Sequence, residues 1–466
     1  MAIEKLRALA WEETSNFTGS ITASGQIASR VKDISLDIGI DAKDYDYTKS
    51  GFFGFKKLVG TANQRFWSGT TLKFTTYLTP QGNNSTALAT TDTMLLALLY
   101  NALGGSVAPT PQTATVLGGL NAGVSGYDVM SVSTNMSASF PAGAAVYINA
   151  TTSIADQVRW ITGTTVSANT STHTLSRAIA ANALTRLATI SPALTLYSRD
   201  SLPAQWLSFE VVGHAADADA STEFDDSANT HDDAYTLTGC KVSGCVIKLK
   251  TGEAPVIDWT LSVGKVTKNA LSELLVLSSG LEVLNINSLE NDPLPSTYLG
   301  VYLTSEPTVT ATATDGTAGR WTLLPCEEIE IDLGMSVTPK KDMSSANGLS
   351  DFILSDRQIK VKLKPYYTEA FEADYLDQQE YSLEIVGPHL DATGLQNHFA
   401  IRIPSMALVD YPKRADIEGQ HALDLNFAAT YSTVDIDDQA SGSTTTSCER
   451  NHPTRPIDAD FRIAFV

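Results

Sequence analysis

Apolar and polar residues alternate along this chain in short runs, with a period of two. Ile34-Ser35-Leu36-Asp37-Ile38 is one such run, and Leu72-Lys73-Phe74-Thr75-Thr76-Tyr77-Leu78 is nearly another. The stretches 207–211, 246–250, 257–263, 329–333, 359–363 and 423–427 follow the same rule. Successive side chains of a strand point to opposite faces, so the pattern predicts half-buried strands. The segment from Thr91 to Gly104 departs from it, being apolar nearly all round. It predicts a helix capped by Thr91 or Asp92 and stopped by Gly104-Gly105. Such a helix must be covered, by a sheet or by a neighbouring subunit.

The elements recur in order. Asp33-Ile34-Ser35-Leu36-Asp37-Ile38-Gly39 is matched by Glu328-Ile329-Glu330-Ile331-Asp332-Leu333-Gly334. A polar, lysine-containing loop follows each, Asp41 to Lys57 and Val337 to Ser355. Then come an alternating strand, a helical or turn-like stretch (Thr91 to Gly104, Glu369 to Gln379), and a closely matched pair of strands. These are Leu207-Ser208-Phe209-Glu210-Val211-Val212-Gly213 and Tyr381-Ser382-Leu383-Glu384-Ile385-Val386-Gly387. A strand, turn and strand close each series, at 235–263 and 398–427. We read this as an internal duplication. The competing reading is that any two β-rich segments share alternation; order and the paired Gly-terminated strands weigh against it. The first copy carries extra material at 106–198, rich in Ala, Thr, Ser and Gly and nearly free of charge. Short strand signals continue within it, which predicts a small inserted β-barrel or sandwich on the outer surface.

Composition narrows the function. The chain has 466 residues, 43% of them hydrophobic, enough for two or three domains with real cores. No run approaches the roughly 18 to 20 apolar residues of a membrane helix, and the N-terminus reads as mature, without a signal peptide. The net charge of −20 opposes binding to nucleic acid and to anionic membranes. It suits solubility at high concentration, and equally a surface along which DNA moves without sticking. Cys240 and Cys245 share an expected strand but stand five apart, hence on opposite faces. With Cys326 and Cys448 they read as unpaired, half-buried thiols.

The segment from Tyr235 to Lys265, with its Lys248-Leu249-Lys250-Thr251-Gly252-Glu253-Ala254-Pro255 turn, resembles the tail tube (major tail) proteins of long, non-contractile, siphovirus-type bacteriophage tails. Gly69-Thr70-Thr71-Leu72-Lys73-Phe74 and the helix ending in Leu103-Gly104-Gly105 are similar to that family as well. The resemblance covers the two arms of the repeat, about two thirds of the chain. It implies an all-β fold with minor α: two tandem tube-like β-sandwich or barrel modules, each with one helix, plus the insert. The expected division is 1–105 with 199–285, 106–198, and 286–466. It further implies a structural virion subunit, assembled in the host cytoplasm, that stacks as rings into a hollow tube for DNA ejection. Three chains would close a pseudo-sixfold ring; a homohexamer is the other option. Tape measure and tail-end proteins would be partners, DNA would pass without specific binding, and no membrane or cofactor is involved. Two departures stand out: the length of the chain and the insert.

Within that reading the lumen face should be polar and net negative. Asp37, Asp258, Glu330, Asp332 and Asp424 sit at alternate polar positions and are the candidates for it. Lys73, Lys248, Lys250, Lys360, Lys362 and Lys364 also alternate, and either line the same face or pair with acids on neighbouring strands. The loop bearing Tyr45, Tyr47, Phe52, Phe53 and Phe55 is aromatic enough to serve as a contact between rings, or else to cover the chain's own core.

Catalytic signals are thin. Nucleophile elbows, His-Glu-x-x-His pairs, phosphate loops and dinucleotide fingerprints are absent from the sequence. The acidic run 217–233 lacks the order of a calcium loop. The expectation is a non-enzymatic protein. The alternatives are a distal tail or tube-end adaptor, or another virion β-protein that forms a single ring, and less readily a carbohydrate-binding or hydrolytic β-protein.

Overall fold

A computed structural model describes residues 2–3, 6–28, 30–38, 40–42, 65–67, 69–81, 88–108, 114–115, 121–123, 126–132, 137–149, 158–167, 170–179, 189–213, 233–269, 273–277, 292–293, 296, 299–304, 321–343, 348–367, 370–387, 398–417, 419–430 and 456–465. The fold is all-β with minor α. Two series of principal elements carry it. The first is β1 (Leu6–Thr14), β2 (Val31–Asp37), β3 (Thr71–Tyr77), α1 (Met94–Leu103), β4 (Trp206–Gly213), β5 (Asp233–Lys250), β6 (Val256–Ser262) and β7 (Lys265–Asn269). The second is β8 (Gly300–Thr304), β9 (Cys326–Asp332), β10 (Lys360–Pro365), α2 (Ala370–Leu376), β11 (Glu380–Gly387), β12 (Phe399–Leu408), β13 (Gln420–Ala429) and β14 (Arg462–Phe465).

The two series pair in the same order, always antiparallel. In the first, β1 pairs with β4, β4 with β5, β5 with both β7 and β6, β6 with β3, and β3 with β2. In the second, β8 pairs with β11, β11 with β12, β12 with both β14 and β13, β13 with β10, and β10 with β9. Register agrees too. Leu36 lies opposite Leu72 and Asp37 opposite Thr71, as Ile331 lies opposite Val361 and Asp332 opposite Lys360. The β4–β5 ladder slips between Leu207 and Phe209, and the β11–β12 ladder slips between Tyr381 and Leu383, the matching place.

The series meet edge to edge. The end of β5 pairs with β9, Val246 opposite Asp332 and Lys250 opposite Glu328. One sheet therefore runs β2-β3-β6-β5-β9-β10-β13 and ends on the short strand Lys413–Ile417. A second layer, holding β4 and β11, stacks on it, and one apolar cluster fills the space between. Phe74 and Trp259 from the first layer, and Phe209 and Ile385 from the second, are all buried there.

Helix α1 is covered by the chain's own strands and buried on nearly every side. Its cap is Thr93, not Thr91 or Asp92: the Thr93 side chain accepts from the Leu96 N–H at 3.3 Å, whereas Asp92 accepts from the Ala89 N–H at 2.7 Å. Gly104, at φ +90°, ends the helix in the left-handed region open to glycine. Cys240 and Cys245 do not lie on opposite faces; both are fully buried in the same cluster. A bulge between Val242 and Gly244 adds one residue to β5, so an odd spacing returns to the same side. The expected loop from Val337 to Ser355 is instead a β-hairpin, Met335–Lys341 paired with Leu349–Arg357. Gly334, at φ +55°, turns the chain into it, and a Cβ there would meet the Gln358 carbonyl oxygen at 1.8 Å. After β2 the corresponding chain pairs Ile40–Ala42 with Arg65–Trp67.

Seven strands between Ala114 and Pro192 form a separate sheet. Ala145, Val158, Trp160 and Ala193 from this region pack against Val386, Ala400 and Ala464 of β11, β12 and β14. Those three residues alternate with core residues Ile385, Ile401 and Ile463. The insert thus covers the far side of the second layer, although it leaves the chain within the first series. Strand Leu194–Ser198, which follows it, pairs with β14.

Candidate functional site

The five acids at alternate polar strand positions share one face of the sheet. Asp37 of β2, Asp258 of β6, Glu330 and Asp332 of β9 and Asp424 of β13 occupy the positions that alternate with buried Leu36, Trp259, Ile331 and Leu425. The alternation of the strands sets the face, and the antiparallel registers bring the acids together on it. The six lysines share it. Lys248 and Lys250 on β5 stand opposite Glu330 and Glu328 on β9, and these in turn stand opposite Lys362 and Lys364 on β10. A lysine-bearing strand, an acidic strand and a second lysine-bearing strand therefore lie side by side across the junction of the two series.

The contacts are direct. Lys248 Nζ donates to Asp258 Oδ2 at 2.7 Å, and Thr75 Oγ1 donates to Asp258 Oδ1 at 2.6 Å. Lys362 Nζ lies 2.6 Å from Glu330 Oε1, Lys364 Nζ 3.2 Å from Glu327 Oε2, and Lys250 Nζ 2.8 Å from Glu253 Oε1. Partial burial pushes the Asp258 carboxyl up, but the bonds from Lys248 and Thr75 and the charges of Lys248 and Lys32 outweigh it, so it lies below the usual range. The Lys248 ammonium is raised, first by its bond to Asp258. The bond to Glu327 likewise raises Lys364. Acids do not outnumber lysines on this face of the sheet. Six acids (Asp37, Asp258, Glu328, Glu330, Asp332, Asp424) meet six lysines (Lys73, Lys248, Lys250, Lys360, Lys362, Lys364) on these strands, and Lys32 and Lys413 add to the cations. Like charges directly opposite one another repel, so acids and lysines segregate onto alternate strands.

Glu328 and Lys413 were not among the sequence candidates. Glu328 stands two residues before Glu330 and follows from the same alternation. Lys413 follows from nothing local, because only its pairing with Asp424 places it there. Tyr45, Tyr47, Phe52, Phe53 and Phe55 lie outside the described residues, as do residues 217–232 of the acidic run.

Among the described residues the face ends in two edges. At one end, Ala2–Ile3 pairs with β2 only at Leu36 and Asp37. At the other stands Lys413–Ile417, paired on one side with β13. Chemistry elsewhere is spare. Among the described residues no group of three or more His, Cys, Asp or Glu is placed to hold a metal ion. His173 is fully enclosed between Thr164 Oγ1 at 3.1 Å and Ser171 Oγ at 2.9 Å, and burial lowers it to about 4. Burial also pushes the Cys240 and Cys245 thiols far up and Cys326 to about 11, the opposite of an activated nucleophile. No protein-family model matches the chain, and no curated protein matches it.

Proposed function

We propose that the chain is a structural subunit of a bacteriophage tail tube, built from a duplicated module and joined to further copies as stacked rings. The observation that carries this reading is the β5–β9 junction, where two like series of strands already join edge to edge into one sheet. The recurring pairing order, the common register and the matched ladder slip support duplication of one module. Two such modules cannot close a ring, and among the described residues the sheet keeps an edge at each end. An open edge invites uncontrolled pairing, whereas a ring of copies satisfies it. Three chains would supply six modules, and the charged face would line the channel. On that face lysines are interleaved with the carboxylates, so no large field of one sign would grip or repel DNA strongly. The insert, two layers away, would decorate the outside.

The reading predicts that the purified protein forms hollow tubes of uniform width, seen by negative-stain microscopy, with rings whose mass is three times that of the chain. A protein that stays monomeric as its concentration is raised a hundredfold would refute it. Discrete rings that never stack would point instead to a tube-end adaptor.

A further inference from the structure

We infer that the surface patch formed by the touching rings of half-buried Tyr375 and exposed Tyr411, with exposed Leu376 and Val409 near them in the chain, is the seat for the hairpin Ile40–Ala42/Arg65–Trp67 of a second copy of this chain. The inference rests on the ring reading and names the contact by which one chain takes hold of the next.

The first series shows what fills the corresponding place. There the seat is made of the end of α1 and the bulge of β5, and the hairpin that follows β9 occupies it. Arg357, at the end of that hairpin, donates to the carbonyls of Leu103 at 3.2 Å and Arg199 at 2.7 Å, and also to that of Ala102. Asp351 accepts from the Trp206 indole N–H at 3.0 Å, and the Phe352 ring lies 6.4 Å from that of Phe17. The Leu333 N–H, just before the hairpin, donates to the Cys245 carbonyl at 3.1 Å, beside the bulge.

In the second series the corresponding place is the end of α2 and the turn after Leu408. Leu408 lies opposite Phe427 as Val242 lies opposite Leu261. No hairpin sits there among the described residues. Leu376 is 73% exposed, Val409 57% and Tyr411 49%, and the Tyr375 and Tyr411 rings meet edge to face at 5.6 Å. Large apolar side chains brought together in water cost free energy that burial against a partner recovers, and rigid aromatic groups make strong anchors.

The occupant follows from the order of the chain. The covering hairpin follows β9, and the segment standing in the same relation to β2 is the hairpin Ile40–Ala42/Arg65–Trp67. The pairing order puts β2 at one end of the sheet and the seat at the other, so a chain cannot fill its own seat.

The test uses the full chain with L376E and Y411E combined. Both side chains are exposed, so the melting temperature should hold while the concentration needed for assembly, read by light scattering and negative stain, rises about tenfold or more. A second arm mixes two single variants, I40C and V409C, under mild oxidation. A disulfide-linked dimer should form several-fold faster in that mixture than when V409C is mixed with V166C on the insert. Wild-type rings alongside equally competent L376E/Y411E rings would overturn the seat and leave the ring reading standing. So would wild-type assembly without the I40C–V409C link. A wild-type chain that never assembles would overturn both.

Discussion

Glu210 of β4 and Glu384 of β11 hold the same place in their two series, and both are buried. Their partners differ. Glu210 accepts from three backbone N–H groups, those of Leu275 at 2.6 Å and of Val276 and Leu277 at 3.0 Å. Glu384 accepts from two guanidinium groups, Arg402 Nη1 at 2.5 Å from the neighbouring strand and Arg177 Nε at 2.5 Å from the insert. The apolar surroundings differ in parallel. Val212 and Ala234 are covered by Leu274, Val276 and Leu277, whereas the matching Val386 and Ala400 are covered by Trp160, Val158 and Ala145 of the insert. The comparison teaches that the insert is more than an appendage. It does for the second layer's outer side what residues 274–277 do for the first, and the central carboxylate is the clasp in both.

The largest expected effect separates the two clasps. E384Q leaves two buried guanidinium groups without their anion and should cost about 3–5 kcal/mol in urea unfolding. E210Q removes a charge but keeps an acceptor oxygen, and should cost about 1–3 kcal/mol. Equal losses at the two positions would break the comparison. Next comes acid. The His173 imidazole is lowered to about 4 by burial, from 6.5. Between those values the unfolded chain binds more protons than the folded one, so the contribution is full above about pH 6.5 and is lost as pH falls towards 4, by about 3 kcal/mol in all. The insert should therefore loosen first on acidification, followed by hydrogen exchange at Val158–Trp160, and H173N should flatten that dependence. Exchange at Leu275–Leu277 should be unaffected. The smallest effect lies on the charged face. K248M should cost less than about 1 kcal/mol, as exposed pairs do. By removing a partner of Asp258 it should raise that carboxyl's titration midpoint in NMR. Asp258 is held low in the folded chain, so its small contribution is present above the ordinary carboxylate range and fades as pH falls through the folded value.

How much could be read in advance depended on whether the deciding contact was local. Alternation placed Asp37, Asp258, Glu330, Asp332 and Asp424 on a polar face because the strand period is a property of the backbone. The paired Glu-Val-Val-Gly and Glu-Ile-Val-Gly strands were visible for the same reason. The bulge at Val242–Gly244 was not, since it appears only when β6 counts out β5 residue by residue, and with it went the placement of Cys240 and Cys245. The capping residue of α1 slipped by one or two positions, because Thr91, Asp92 and Thr93 are all competent caps and packing chose among them.

Alternation along the chain was enough to give most of the principal strands, the polar face of those that carry no bulge, and the order in which the elements recur, but not the hairpin Met335–Lys341/Leu349–Arg357. Long-range packing set the rest: that β5 pairs with β9, that the lysine strands flank the acidic one, and that the insert settles on the second series and not the first. The reason is physical. Facing is set by neighbours one and two residues away, whereas the pairing of edges and the covering of a layer join residues scores or hundreds apart, such as Arg177 and Glu384. Which of those distant partners meet depends on what the rest of the chain leaves open.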